Sequence, residues 1–155
     1  MAGRLCWFWF STGFWAEGRR WAEQALALPI AAQPTLERGA TLLAATVIAT
    51  LQAEFRLAQG WAEECEVIAR AQGDGRLQAY AQNYLGMILV GQARPEGEGP
   101  IRAALGWFRA HNDLYGLRLS LLMLGTLYAS RKAFDHRLRR SKTVSTCSCT
   151  GCVKP

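Results

Sequence analysis

Residues 73–89 read GDGRLQAYAQNYLGMIL, and residues 112–128 read NDLYGLRLSLLMLGTLY. The second stretch rhymes with the first at an offset of 39 residues: Asp74 returns as Asp113, and Leu85-Gly86 as Leu124-Gly125. A period of this length is that of one helical hairpin, which buries its apolar face only against its neighbours. Within the first copy, Leu77, Tyr80, Ala81, Tyr84, Leu85, Ile88 and Leu89 fall at i, i+3, i+4, i+7, i+8, i+11 and i+12. That is one stripe of an amphipathic helix. Gly73 is placed to end the preceding helix and Asp74 to cap this one. Gly86 inside the helix costs about 1 kcal/mol relative to Ala, so the spacing predicts that a partner backbone approaches there.

The rest of the chain falls into that register. Trp21-Ala22-Glu23 returns as Trp61-Ala62-Glu63, offset by 40. Residues 5–13, opening with LCWFWF, read as a first helix apolar nearly all round. FWAEGRRWAEQALAL (14–28) reads as its partner, with Trp21, Ala25 and Leu28 as its apolar stripe and Pro29 as its stop. Thr35 to about Ala53 is predicted helical, with Leu43, Val47, Thr50 and Leu51 in one stripe. The β-branched Thr46, Val47, Ile48 and Thr50 dilute its propensity by a few tenths of a kcal/mol each. Phe55 to Gln72 is its partner. Residues 91–100, GQARPEGEGP, carry three glycines and two prolines and set the next helix start near Ile101. Leu114 to Ala129 is almost continuously apolar, which predicts a helix sandwiched between neighbours. The register then calls for a closing helix from about Phe134, but no apolar stripe survives beyond Leu138.

The chain's 155 residues suffice for one domain with a real core. Its net charge of +6 arises wholly after residue 130, because residues 1–130 hold 11 basic and 11 acidic side chains. The body is neutral and the tail basic, unlike a nucleic-acid reader with a basic folded face. No apolar run reaches the 18 residues of a membrane span. Five cysteines, split between Cys6, Cys65 and a tail trio, do not form a secretory disulfide pattern and imply a reducing cytoplasm.

Candidate chemistry is sparse. Cys147, Cys149 and Cys152 are soft-metal ligands, yet a closed structural site needs four, and only His136 lies near. A free-thiol tail is the expectation, with no metal and no cofactor. Arg137, Arg139, Arg140 and Lys142 read as a solvated run rather than a phosphate grip. His111 sits at a helix end, where capping accounts for it. With two histidines in all, no Ser or Cys triad can be assembled, and no enzyme is expected. Glu63, Glu64 and Glu66 read as a wet helix face. The rings at Trp7, Phe8, Trp9, Phe10, Phe14 and Trp15 read as core rather than a membrane interface. A stack of hairpins offers the groove lined by its first helices, where Gln78, Gln82, Asn83 and Arg118 are the candidate binding residues.

The stretch from LCWFWF through GFWAEGRRWAEQALAL resembles the opening of the tetratricopeptide-like repeat region of bacterial NB-ARC/AAA signal-transduction ATPases, many of them LuxR-family or MalT-like transcriptional regulators. LQAEFRLAQGWAEECEVIARAQGD, YLGMILVGQA and LGWFRAHND are similar to that family's repeats. Ala53-Glu54-Phe55 stands where the family has Gly-Asp-Tyr, while Gln72-Gly73-Asp74 matches the repeat end. The resemblance spans about residues 5–135. It departs at residues 95–100 and in the tail, and neither the phosphate-cradling G-x-x-x-x-G-K-[ST] motif nor a helix-turn-helix accompanies it.

Together these features predict an all-α protein of about three and a half antiparallel hairpins, stacked tetratricopeptide-like in a right-handed superhelix. Residues 1–135 form the repeat domain and 136–155 a basic, disordered, Cys-containing tail. The resemblance implies a cytoplasmic module that binds a protein or small effector and regulates an attached ATPase or transcription factor. It implies no direct nucleic-acid contact and no membrane. The alternatives are a truncated fragment without function of its own, and a metal-binding module built on the Cys tail.

Overall fold

The computed structural model describes residues 13–28 and 33–147, with side chains through residue 129 and at Lys132. Over these residues the chain is all-helical. Six α-helices follow one another: α1 Trp15–Ala27, α2 Leu36–Leu51, α3 Phe55–Ala71, α4 Gly75–Gly91, α5 Glu98–Ala110 and α6 Leu114–Cys147. A 3-10 turn, Pro95–Gly97, leads into α5.

The turns that separate α2 through α6 share one geometry. Ala53, Gly73, Ala93 and Asn112 all take positive φ, at 60°, 72°, 58° and 54°. After each, the next N–H reaches back five residues: Glu54 to the Ala49 carbonyl (2.9 Å), Asp74 to Ala69 (2.9 Å), Arg94 to Leu89 (2.9 Å) and Asp113 to Phe108 (3.0 Å). This is the Schellman closure of a helix C-terminus, which satisfies carbonyls the helix itself leaves unpaired. Two of the four positions carry Ala, a residue that the left-handed region penalises. Thr35 and Asp74 cap the following helices, accepting from Arg38 N–H (3.2 Å) and Leu77 N–H (2.9 Å).

Each helix packs on the next in sequence. In addition α2 touches α4, and α4 touches α6. The buried apolar side chains accordingly form clusters that march along the chain. Leu42, Cys65, Ile68, Ala69, Leu77 and Ala81 join α2, α3 and α4. Ala49, Ala58, Ala62 and Ile88 join the same helices at their other ends. Ala79, Ala104 and Phe108 join α4 to α5, and Ile101, Leu124 and Leu127 join α5 to α6.

Small residues set the helix spacing. A Cβ on Gly86 would lie 2.5 Å from Ile101 Cγ1 and 2.6 Å from the Gly97 carbonyl oxygen. The close approach expected at Gly86 is therefore present. Equivalent outer positions are buried in every copy: Gly18, Ala58 and Gly97, and four residues on Ala22, Ala62 and Ile101.

Several expectations change. In α1 the packed face is Gly18–Ala22, while Trp21 and Leu28 of the expected stripe are 50% and 55% exposed. In α2 burial runs nearly all round, through Leu42, Ala44, Ala45, Ile48 and Ala49. Its Thr46 and Thr50 are buried because each hydroxyl donates to the carbonyl four residues back, at 2.8 and 2.6 Å. The fifth helix starts at Glu98 rather than Ile101, since a proline in the first turn sacrifices only an N–H that lacks a helical partner. Helix α6 is not sandwiched. Leu114, Leu121 and Leu122 are 77%, 54% and 59% exposed, because packing covers one side of it only. The same helix continues past Ala129 to Cys147, a stretch without Gly or Pro to stop it. The helix expected over 5–13 lies in part outside the described residues, as do the side chains of His136, Arg137, Arg139, Arg140, Lys142 and the tail cysteines.

Candidate functional site

The polar side chains gather where α4 and α6 begin. Asp113 is placed by the turn at Asn112 and caps α6, accepting from Gly116 N–H at 3.1 Å. From α4, Arg76 Nε donates to its Oδ2 at 2.9 Å, and the Tyr80 hydroxyl donates to the same carboxylate at 3.1 and 3.2 Å. Arg76 also lies over the Tyr80 ring, 5.7 Å from its centroid. Tyr80 is held in turn by Phe108 at 4.8 Å and by Tyr115 at 6.2 Å. Arg118 lies over the Tyr115 ring, 5.5 Å from its centroid. The result is a ladder of rings edged by two guanidinium groups. Beside it opens a hollow of about 220 Å³, lined by Asp74, Arg76, Leu77 and Tyr80.

The electrostatics follow from this geometry. Burial works against the Asp113 charge, but the bonds from Gly116, Arg76 and Tyr80 outweigh it and hold the carboxyl below its ordinary value. Burial, with the Asp113 carboxylate adding to it, pushes the Tyr80 hydroxyl up to about 12. The Asp113 bond raises Arg76 further. At neutral pH the site is a fixed ion pair with a neutral phenol, and the Arg76 side chain remains 67% exposed.

The four residues chosen from sequence are not brought together. Arg118 is exposed and belongs to the ladder. Gln82 is half-buried and donates to Glu66 of α3 at 2.9 Å, so it faces a neighbouring helix. Gln78 is half-buried on α4. Asn83 is fully buried, which removes it from any open groove surface. Its Oδ1 accepts from the buried Ser120 hydroxyl of α6 at 2.7 Å, and its Nδ2 has no partner. The pair ties α4 to α6.

Arg76, Tyr80, Asp113 and Tyr115 are the functional candidates that sequence reasoning missed: it read Tyr80 as part of the apolar stripe and Asp113 as a cap, and gave Arg76 and Tyr115 no role. The 39-residue offset held a usable signal: Asp113 repeats the capping Asp74, yet a second role appears only when Arg76 and Tyr80 meet it across the helices. Several other candidate side chains among the described residues are already engaged. The Cys65 thiol is buried and donates to the Gly39 carbonyl at 3.2 Å, and burial, reinforced by nearby carboxylates, pushes it up to about 12. His111 stacks on Trp107 at 3.9 Å and bonds its carbonyl through Nδ1 at 2.9 Å. Glu64 and Glu66 pair with Arg38 and Arg70 at 2.6 Å each. Among the described residues no three His, Cys, Asp or Glu side chains cluster as metal ligands, and no helix is long and apolar enough to cross a membrane.

Comparison with protein-family models, with curated proteins and with solved structures returns no match.

Proposed function

We propose that this chain is a recognition module of the tetratricopeptide-like repeat class, its hairpins stacked in a right-handed superhelix. It binds a protein segment or small effector on the surface made by α2, α4 and α6. The observation that carries this reading is the packing order. Helix α2 touches α4 and α4 touches α6, and the same Schellman turn recurs from α2 through α6. In such an arrangement α2, α4 and α6 line one common surface. The ladder of Arg76, Tyr80, Tyr115 and Arg118 is the recognition element on that face. Aromatic rings supply stiff contact area, and guanidinium groups suit carboxylates on the guest. The module works in the cytoplasm, without catalysis, as the sensor region of a regulator in which an ATPase or transcription factor reads its occupancy. Support for that last step is the repeat resemblance of residues 5–135.

The test is selection of peptides from a random display library against the folded chain, followed by amide shift mapping. Selected peptides should perturb the first halves of α4 and α6, and Tyr80→Ala or Arg118→Glu should abolish their binding while the circular dichroism stays unchanged. Peptides that map to α1, α3 or α5, or that bind both variants undiminished, would refute the assignment.

A further inference from the structure

The hollow beside the ladder is lined by two opposite charges that do not neutralise each other. Asp74 and Arg76 both face it, at the start of α4, yet Arg76 pairs with Asp113 instead. Among the described residues Asp113 takes only the Nε–H of Arg76, at 2.9 Å, and the Arg76 side chain is 67% exposed. The guanidinium is thus held in place while its two terminal nitrogens are left to meet a second carboxylate. Asp74 is half engaged in the same way. Its Oδ1 accepts the Leu77 N–H at 2.9 Å, and no described residue bonds Oδ2. The rest of the lining is Leu77, which is buried, and Tyr80, which is half-buried with its hydroxyl already given to Asp113. At about 220 Å³ the hollow is smaller than the roughly 300–1,000 Å³ of pockets that take drug-sized ligands, so its guest is smaller still.

A carboxylate, an ammonium and a hydrocarbon group meet on one carbon atom in a free α-amino acid with an apolar side chain. A residue inside a peptide has lost both charges to amide bonds, and a residue at a chain end keeps only one. We propose that the hollow binds such a free amino acid. Its carboxylate lies on the terminal nitrogens of Arg76, its ammonium on Asp74 Oδ2, and its side chain against Leu77 and Tyr80. The inference rests on the recognition reading above and narrows the guest to a small zwitterion. Arg76 and Tyr80 also hold Asp113, the cap of α6, so the guest touches the side chains that tie α4 to the start of α6.

The test is titration of the isotope-labelled full chain with L-leucine, followed by amide shifts. Saturable shifts are expected in the first turns of α4 and α6, with a Kd of about 10 mM or tighter for a ligand of this size. N-acetyl-L-leucine and L-leucinamide each lack one charge and should bind at least about tenfold more weakly. Asp74→Asn keeps an equally good cap, so the melting temperature should hold. It should weaken L-leucine at least about tenfold while leaving N-acetyl-L-leucine as it was. Arg76→Gln should likewise weaken L-leucine and spare L-leucinamide. Absence of saturable shifts, shifts confined to other helices, or equal binding of either blocked form overturns the proposal. So does L-glutamate binding as tightly as L-leucine. If display-selected peptides map to α4 and α6 while L-leucine does not bind, this inference alone has failed.

Discussion

Replacing each of the two repeat glycines with alanine should move stability in opposite directions. Gly125 sits in a helix where, among the described residues, nothing lies within 4 Å of the new methyl. Gly125→Ala therefore gains the helix-propensity difference, about 1 kcal/mol. Gly86→Ala gains the same amount, but its methyl would lie 2.5 Å from Ile101 Cγ1 and 2.6 Å from the Gly97 carbonyl oxygen. The second neighbour is backbone and cannot rotate away, so overpacking falls in the upper part of its usual range, about 2–3 kcal/mol. The net for Gly86→Ala is a loss of about 1–2 kcal/mol. The two variants should thus separate by about 2–3 kcal/mol, or roughly 4–12 °C in melting temperature for a chain of this size. Thermal melts followed by circular dichroism, with the wild type between them, are the assay. Two variants that shift together, in either direction, would show that α5 does not approach Gly86 as described.

Four further perturbations are equally direct. Ala53→Gly and Ala93→Gly relieve the left-handed backbone at 60° and 58°. After the added freedom of the unfolded chain is subtracted, each should stabilise by about 0.5–1 kcal/mol in urea titration, while Gly73→Ala should destabilise. Asp113, depressed in the fold, contributes stability that is whole above its ordinary 3.8 and lost as pH falls through the folded value, so Asp113→Asn should flatten the acid limb of the stability profile. Tyr80 titrates the other way: its contribution is whole below 10.0 and disappears between 10.0 and about 12, so Tyr80→Phe should flatten the alkaline limb. Ser120→Ala strips the buried Asn83 amide of the hydroxyl it bonds and should cost about 1–3 kcal/mol. The double change Ser120→Ala with Asn83→Leu should recover part of that loss in the same denaturation assay.

Much of the helical layout was legible in residue order. The stripe from Leu77 to Leu89 is buried or half-buried throughout, and Gly73-Asp74 ends one helix and caps the next. These features depend on contacts within a few residues, where side-chain spacing is the cause of the structure. Burial was harder to read. Trp21 looked like core and is half-exposed, while Gly18 and Ala22 beside it carry the packing. Hydrophobicity ranks side chains by their cost in water, but where helices come close it is the smallest residue that fits. The Schellman turns at Ala53 and Ala93 were equally hidden, because alanine is the strongest helix former and announces no turn.

From composition and periodicity alone came an all-helical chain, a repeat of 39 to 40 residues and a neutral body with a basic end, because each is set by local spacing or simple charge. The tertiary structure decided what the repeated residues do. Asn83, an apparent groove residue, is buried against Ser120. Asp113, an apparent cap, also receives Arg76 and Tyr80. Gly86 and Gly125, identical in the sequence pattern, differ because, among the described residues, a helix closes on the first and nothing lies within 4 Å of the second. Long-range neighbours are chosen by the path of the whole chain, so no short window of residues can specify them.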